Sequence, residues 1–320
     1  MHEGPDQALE AITTAVRACI EAGEFAELES LAQLTVEAAR DGNRPDEGLA
    51  ILGEILRTLP FESTGGVLVR RASLRGYQRR YDRRSLDLRR AAAAYAAGGD
   101  VEGECRALSD LALPVGAEMS LPQRIEVGTQ ALEMARGLGN AELSSVCAAN
   151  VAVTMFFAGD RSAVALRPFI EANPPGRTDS PECRIVVRNW NNWATGAVAF
   201  GLHDEVERAK RIVAVAPDSM RKRRLRVTEA VVKWRKGEWD AAYRECEALA
   251  AEQLNPEDLA TLQVVRGAID FQRRPMMKPH GLTAAADSIR DETPWGAIAR
   301  AIVIDVRLER REPRAVRGLL

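Results

Sequence analysis

The chain has 320 residues, of which 46% are apolar and 28% are charged, so it can form a sizeable core and is not a wholly disordered chain. The 44 Lys and Arg nearly balance the 46 Asp and Glu, and the net charge of −2 excludes bulk attraction to nucleic acid or an anionic membrane. Aromatic residues make up only 5%, and good helix formers abound, which favours helices over a β-sandwich or barrel.

Helical periodicity broken by short glycine turns predicts sixteen helices and no strand. In chain order they cover 6–22, 24–40, 46–58, 64–80, 82–97, 101–113, 121–137, 141–158, 161–172, 183–200, 204–216, 219–236, 239–252, 256–272, 283–291 and 295–310. Most connections have two to five residues, which places consecutive helices antiparallel and side by side. Three longer connections, 114–120, 173–181 and 273–281, are expected to be looser.

The glycine turns repeat a common pattern of Gly, an acidic or polar residue, a bulky residue and then small apolar residues. The clearest copy begins at Gly237, and others begin at Gly23, Gly99, Gly159 and Gly201. These residues make the chain resemble tetratricopeptide-type repeats. The resemblance implies an all-α, right-handed solenoid of antiparallel helix pairs in which stacking forms the core. We expect one array over 1–320, with sub-blocks 1–113 and 121–272 and a looser segment 273–320.

A second resemblance rests on the general residue pattern of the helices from 82 to 270. Segments such as Arg124–Gly128 followed by Ala131–Asn140 are similar to the helical repeat region of LuxR-type and related STAND transcription regulators. In that family the helical region senses an inducer or a partner protein. The chain departs from the complete family architecture, because it contains no GxxxxGK[ST] phosphate loop and no recognisable helix-turn-helix.

Signals for catalysis, metal binding and targeting are absent from the sequence. It contains no GxSxG, HExxH or GxGxxG motif, and its five cysteines are far apart. The first residues do not resemble a secretion signal, and no apolar run approaches the roughly 18 residues of a membrane span. We therefore predict a cytoplasmic protein that is not an enzyme and uses neither a metal nor a cofactor.

The most unusual stretch is the hexapeptide 188–193, which contains three asparagines between two tryptophans. Asparagine is a poor helix former, so this density needs a reason. If Trp190 and Trp193 are packing residues, the polar positions of this helix face the inner surface, where repeat arrays bind ligands. The alternative is that Asn191 or Asn192 satisfies a buried backbone group near Pro174 and Pro175. The candidate partner-binding residues are Arg188, Asn191, Asn192, Thr195, Arg221 and Arg224.

Two arginine clusters, at 70–90 and 221–226, support a different interpretation, contact with nucleic acid or phosphate. However, Leu74, Tyr77, Tyr81 and Leu88 have helical spacing, which predicts that the tyrosines are core residues and that the arginines lie on a solvated or interhelical face. The second cluster begins a helix, where positive charge opposes the helix dipole, and this favours an anionic partner such as a carboxylate-rich peptide.

The leading functional prediction is therefore recognition of a protein or peptide in a bacterial-type regulatory system. Two alternatives remain open at this point. One is a helical protein that contacts nucleic acid through the arginine clusters. The other is a small-molecule sensor whose ligand lies near Trp190 and Trp193.

Overall fold

The computed structural model describes residues 5–175, 180–217, 220–252, 254, 256–273, 280–287, 289 and 294–309, and it contains no strand in these ranges. Its helices are α1 (Pro5–Ala22), α2 (Phe25–Asp41), α3 (Pro45–Thr58), α4 (Gly65–Tyr77), α5 (Tyr81–Gly98), α6 (Val101–Leu111), α7 (Leu121–Gly137), α8 (Ala141–Phe157), α9 (Arg167–Glu171), α10 (Pro181–Ala199), α11 (His203–Val213), α12 (Met220–Arg235), α13 (Trp239–Ala250), α14 (Pro256–Arg273), α15 (His280–Asp287) and α16 (Pro294–Glu309). Short 3₁₀ segments cover Phe61–Ser63 and Arg161–Leu166. The predicted fold class, an all-α array of antiparallel helix pairs, is confirmed.

Within the described ranges, the helix expected over 161–172 has a different form from the prediction. It is a 3₁₀ segment followed by the five-residue α9. The Asp160 side chain accepts a hydrogen bond from the Ser162 N–H at 2.8 Å, which tightens the first turn. Pro168 then lies in the first turn of α9, a position that proline tolerates because its missing N–H is not needed there. A local cap and a proline thus divide the predicted helix in two.

Eight interhelical turns in the described ranges share one geometry. In each, a residue with positive φ lies one or two positions after the end of a helix, and the N–H of the next residue bonds the carbonyl five residues before it, the pattern of a Schellman motif. At Gly237, for example, φ is +78°, and the Glu238 N–H bonds the Lys233 carbonyl at 2.9 Å. The positive-φ residues of these eight turns are Gly23, Asn43, Arg79, Gly99, Gly139, Gly159, Gly201 and Gly237. All five glycine turns predicted from the sequence belong to this set.

The chain divides into two compact units. Unit 1 comprises 1–112, 116–120 and 126–140, and unit 2 comprises 113–115, 121–125 and 141–320. The single array and its sub-blocks 1–113 and 121–272 stay a prediction. Within the looser segment 273–320, residues 274–279, 288, 290–293 and 310–320 lie outside the described part.

In unit 1 the helices from α1 to α6 pack in sequence order, and α2 also packs on α4. Its main apolar core includes Leu28, Leu52, Ile55 and Leu74, all completely buried. Leu88 is also buried, as its spacing predicts, but Tyr77 is 48% exposed. The prediction that Tyr77 is a core residue is wrong, because it is the last residue of α4, where the chain turns away from the core.

In unit 2 every second helix packs on its counterpart, so that α8, α10, α12 and α14 form a continuous stack. The shorter helices α9, α11 and α13 each pack beside the helix that precedes them. Helices α8 and α10 approach each other closely at Gly196 of α10, where a Cβ would lie 3.0 Å from the Val153 backbone of α8. The final helix, α16, packs on α14 and also reaches back to α10. Among the described helices, none combines the length and apolar character required to cross a membrane.

Candidate functional site

The candidate site lies on α10 and α12 of unit 2. Before α10, the Ser180 hydroxyl caps the helix by accepting a hydrogen bond from the Cys183 N–H at 3.2 Å, and Pro181 occupies the first turn. After α10, the positive φ of Gly201 turns the chain into α11. These local signals fix the extent of α10 and with it the directions of the side chains in the hexapeptide 188–193.

The two tryptophans of α10 are packing residues. Trp190 and Trp193 are both completely buried. The Trp193 ring meets Phe156 of α8 edge to face, with ring centroids 5.2 Å apart. Its Nε1–H donates to Glu205 Oε2 on α11 at 3.2 Å. A ligand placed between the two tryptophans would have to displace these rings from the core.

Helices α10 and α12 are adjacent and parallel. At their C-terminal ends, Arg235 Nη1 donates to the Val198 carbonyl at 2.6 Å. The turn glycines Gly201 and Gly237 are 36 residues apart, and the same offset relates Arg188 to Arg224. The repeat therefore gives Arg188 and Arg224 equivalent positions on neighbouring helices of the stack.

An amide pair connects α10 to α8 at another set of equivalent positions. Gly159 and Gly201 are 42 residues apart, and this offset relates Asn150 to Asn192. Asn192 Nδ2 donates to Asn150 Oδ1 at 2.8 Å. Asn150 is completely buried, whereas Asn192 is half-buried. One side of Asn192 thus secures α8, and its partial exposure leaves the residue accessible to a ligand.

The neighbouring amide, Asn189, has a structural role that the sequence did not predict. It is buried, and its Nδ2 donates to the Ser145 hydroxyl of α8 at 3.0 Å. Burying an amide is favourable only when it is hydrogen-bonded, so this contact accounts for one of the three asparagines. The alternative interpretation of the hexapeptide named Asn191 or Asn192 and a backbone group near Pro174 and Pro175, so this contact of Asn189 with a side chain of α8 is a different one.

The six predicted site residues are in different environments. Asn191 and Thr195 are buried, and the Thr195 hydroxyl donates to the Asn191 carbonyl at 2.8 Å. The side chain of Arg221 lies outside the described part of the chain. The residues that combine repeat-equivalent positions with partial exposure are Arg188, Asn192 and Arg224.

Carboxylates surround the arginines of the second cluster. Arg224 Nε lies 3.6 Å from Oδ1 of Asp258, a buried residue of α14. Arg226 contacts both Glu245 at 2.8 Å and Glu252 at 2.6 Å, and Glu252 is also 3.4 Å from Arg223. This neutralisation reduces the positive potential that a nucleic-acid surface requires.

The first cluster is organised in a similar way around one buried carboxylate. Asp87 is completely buried and accepts two bonds from Arg71, at 2.7 and 3.0 Å, while Arg75 Nη1 lies 2.7 Å from it. Burial lowers the pKa of Arg75, and the charge of Asp87 opposes that effect. These arginines thus stabilise the α4–α5 contact, in agreement with the interhelical-charge interpretation.

A charge network joins α12 to α11 and α13, and it reaches α13 through Lys233, whose ammonium lies 3.3 Å from Glu245. The Glu229 carboxylate lies 2.6 Å from the Lys210 ammonium and 2.8 Å from that of Lys233. Burial acts to raise the pKa of Glu229, but the hydrogen bonds and charges of the two lysines outweigh it, and the pKa lies below its usual value. Within the described ranges, no three His, Cys, Asp or Glu side chains are grouped as a metal site would need.

Comparison with known proteins gives a likeness of fold. No family model matches the chain, and no curated protein is significantly similar to it in sequence. A crystal structure of a Rap protein complexed with Competence and Sporulation Factor superposes with a TM-score of 0.65 at 12% identity, over 98% of this chain and 94% of that chain. A circular tandem repeat protein with novel repeat topology aligns over 99% of this chain and 76% of that chain at 15% identity, but its TM-score is 0.15. The first likeness shows a tetratricopeptide-like helical repeat fold.

Proposed function

We propose that unit 2 recognises a peptide or an extended protein segment through Arg188, Asn192 and Arg224, as part of a regulatory system. The observation that carries the proposal is the repeat register, which gives two arginines equivalent positions on adjacent helices beside a half-buried amide. An amide donates to and accepts from a peptide backbone, and guanidinium groups bind carboxylates in a bidentate manner. Together they match the chemistry of a peptide that carries a free or side-chain carboxylate.

The fold likeness supports the same class of function. The Rap protein with which this chain shares its fold is complexed with Competence and Sporulation Factor. We extend binding of a regulatory factor to this chain as part of the proposal. The resemblance of residues 82–270 to the helical region of LuxR-type and STAND regulators agrees with a sensor role, in which ligand binding changes how the chain engages another protein.

The two alternatives receive less support from the contacts. Nucleic-acid binding would use arginines that are already paired with carboxylates, such as Arg71, Arg75 and Arg226. A small-molecule site at Trp190 and Trp193 would require space beside rings that are completely buried. Peptide recognition leaves both tryptophan rings in place, and at Arg224 the peptide would share the guanidinium group with Asp258.

The test begins with a random linear peptide library displayed on phage and panned against the purified chain. Enriched peptides are synthesised with a fluorescent label, and their dissociation constants are measured by anisotropy. We expect Arg188→Ala to weaken binding by about tenfold or more, since a hydrogen bond to a charged group contributes roughly 1.5–3 kcal/mol. The matched control is Arg244→Ala, which removes an exposed arginine on α13 and should leave binding unchanged.

A salt titration separates this proposal from nucleic-acid binding. Peptide binding should weaken moderately with salt, whereas single-stranded RNA or duplex DNA bound through phosphates would give a steep log–log slope. Peptides that bind Arg188→Ala and Arg244→Ala as tightly as the parent would overturn the assignment of the site. Tight, steeply salt-dependent binding of nucleic acid with no enriched peptide would overturn the functional class.

A further inference from the structure

A cavity of about 360 Å³ in unit 1 combines three arginines with an apolar wall. It lies between α3, α4, α5 and the segment that joins α3 to α4. The lining residues are Gly53, Leu56, Arg57, Leu59, Phe61, Thr64, Arg71 and Arg90. They include three positive charges and no carboxylate, and they belong to four different segments of the chain. The size is at the lower end of the range for small-molecule sites, about 300–1,000 Å³.

Two of the arginines have guanidinium groups that can bind a ligand. Arg57 lies in the last turn of α3 and Arg90 lies on α5, and both are exposed. Among the described residues, neither has an ion pair or a hydrogen bond with another side chain. Mutual repulsion of unpaired guanidinium groups around one cavity is unfavourable unless an anion compensates for it. The cavity therefore has the electrostatic character of an anion site.

The third arginine is held rigidly. Arg71 uses Nε and one Nη2 hydrogen in its bidentate contact with the buried Asp87, at 3.0 and 2.7 Å. A guanidinium has five N–H donors, so three remain for a ligand. Because the side chain is only 15% exposed and is fixed from behind, Arg71 loses little conformational freedom when a ligand binds.

The rest of the cavity is apolar. Leu56 and Leu59 are half-buried, and Phe61 presents a ring that is 47% exposed. Gly53 contributes no side chain, and a Cβ built on it would lie 4.0 Å from the Arg57 guanidinium. The bare glycine thus leaves open the space beside Arg57.

We propose that this cavity binds a small organic phosphate, a phosphate monoester carried on a flat apolar group. A phosphate has three terminal oxygens and about two negative charges at neutral pH, so it matches the charges of Arg57 and Arg90 and the remaining donors of Arg71 better than a carboxylate with two oxygens and one charge does. The apolar group then packs against Phe61 and the two leucines. This site is in unit 1 and does not depend on the proposed peptide site in unit 2.

The experiment uses isothermal titration calorimetry of the full chain with four probes: phenyl phosphate, inorganic phosphate, benzoate and adenosine monophosphate. We expect phenyl phosphate to bind more tightly than inorganic phosphate, which lacks the apolar group, and than benzoate, which lacks the third oxygen. Binding of adenosine monophosphate as tightly as phenyl phosphate would extend the class to nucleotides. Equal binding of benzoate, or no heat with either phosphate ester, would overturn the proposal.

Variants locate the binding. Arg57→Ala and Arg90→Ala should each weaken phenyl phosphate by about tenfold, as for a charged hydrogen bond, and should not affect folding because both side chains are exposed. The matched control, Arg89→Ala, removes the exposed neighbour on α5 that does not line the cavity. Equal losses for Arg89→Ala and Arg90→Ala would show that binding is nonspecific and contradict the site.

A further variant tests the binding site without removing a charge. Gly53→Leu fills the space beside Arg57, and it should abolish binding of phenyl phosphate. Leucine has a higher helix propensity than glycine, so the melting temperature should not fall. If Gly53→Leu melts like the parent and still binds phenyl phosphate with parental affinity, the ligand does not occupy this cavity.

Discussion

Asn192 on α10 donates through Nδ2 to Oδ1 of Asn150 on α8, at 2.8 Å, and the two residues hold equivalent positions in successive helices of the stack. The contact ties the candidate peptide surface to a completely buried amide. The orientation of Asn192 is therefore set by the helix behind it, which holds the amide in place before any ligand arrives.

The first prediction concerns this amide pair. Asn192→Ala and Asn150→Ala should each destabilise the fold, and the double variant should be less destabilised than the sum of the two. We expect a coupling energy of about 0.5–1.5 kcal/mol, the net contribution of one hydrogen bond. Urea unfolding of the four proteins measures it. Strict additivity would show that the contact contributes nothing, and Asn192 would then be available for ligand binding alone.

The second prediction concerns the left-handed turn residue Gly237. A Cβ there meets nothing within 4 Å, so Gly237→Ala introduces strain through the backbone alone, with φ at +78°. We expect a loss of about 1–2 kcal/mol in the free energy of unfolding. Gly137, the last residue of α7, is also in open space but is not left-handed, so Gly137→Ala should be neutral or slightly stabilising. Equal effects at both positions would contradict the assigned turn geometry.

The third prediction is the reverse experiment at Arg79, which lies in the turn after α4 and has φ at +58°. It performs the same turn without a glycine. Arg79→Gly should be more stable than Arg79→Ala by about 1 kcal/mol, because alanine retains the Cβ that opposes this backbone conformation. Both variants lack the arginine side chain, so the difference between their stabilities reports the effect of the Cβ alone. Thermal unfolding provides the measurement, and a more stable alanine variant would contradict the prediction.

These turns show how far the sequence predicts the fold. Glycine marks a left-handed residue because only glycine adopts that conformation without cost, and the five predicted glycine turns are correct. Asn43 and Arg79 adopt the same left-handed conformation in their turns, although neither is a glycine. Neither residue type identifies a left-handed turn on its own, so the repeat register has to locate them. The 36 residues between Asn43 and Arg79, the same interval as between Gly201 and Gly237, are the signal that could have found them.

The candidate site was less predictable because its contacts join distant parts of the chain. The hexapeptide 188–193 is unusual in any reading of the sequence, but periodicity alone could not separate Asn189 and Asn191, which are buried, from Asn192. Likewise, the arginine cluster at 70–90 gave no indication that Asp87 neutralises Arg71 and Arg75. Partners of charged residues follow from the packing of neighbouring helices, which a single sequence does not encode in a readable pattern.

The fourth prediction concerns pH. Burial and the positive charges of Arg235 and Lys236 lower the pKa of His203 below its usual value of about 6.5, and the nearby Asp204 opposes them. The unfolded chain therefore takes up a proton before the folded chain does. Stability should be fully present above about pH 6.5 and decline as the pH falls through the folded pKa.

The measurement is the melting temperature of the parent and of His203→Gln from about pH 7.5 to about pH 5.5, a window above the usual pKa values of carboxylates. The parent should lose more stability on acidification than His203→Gln. Parallel curves would mean that His203 has the same pKa in the folded and unfolded chains.

The fifth prediction concerns thiol reactivity. Burial raises the pKa of the Cys246 thiol to about 12, so almost none of it is thiolate at pH 8, and the thiolate is the reactive form. Cys105, Cys147 and Cys183 are also buried, whereas Cys19 is half-buried on α1. Native alkylation with iodoacetamide, followed by peptide mass spectrometry, should modify Cys19 first and Cys246 only after unfolding. A sample unfolded in urea, in which all five cysteines react, provides the control. Alkylation of a buried thiol requires local opening of the structure. Labelling of Cys246 together with Cys19 in the native protein would therefore show that α13 separates readily from α12 and α14. The packing described for unit 2 would then not persist in solution.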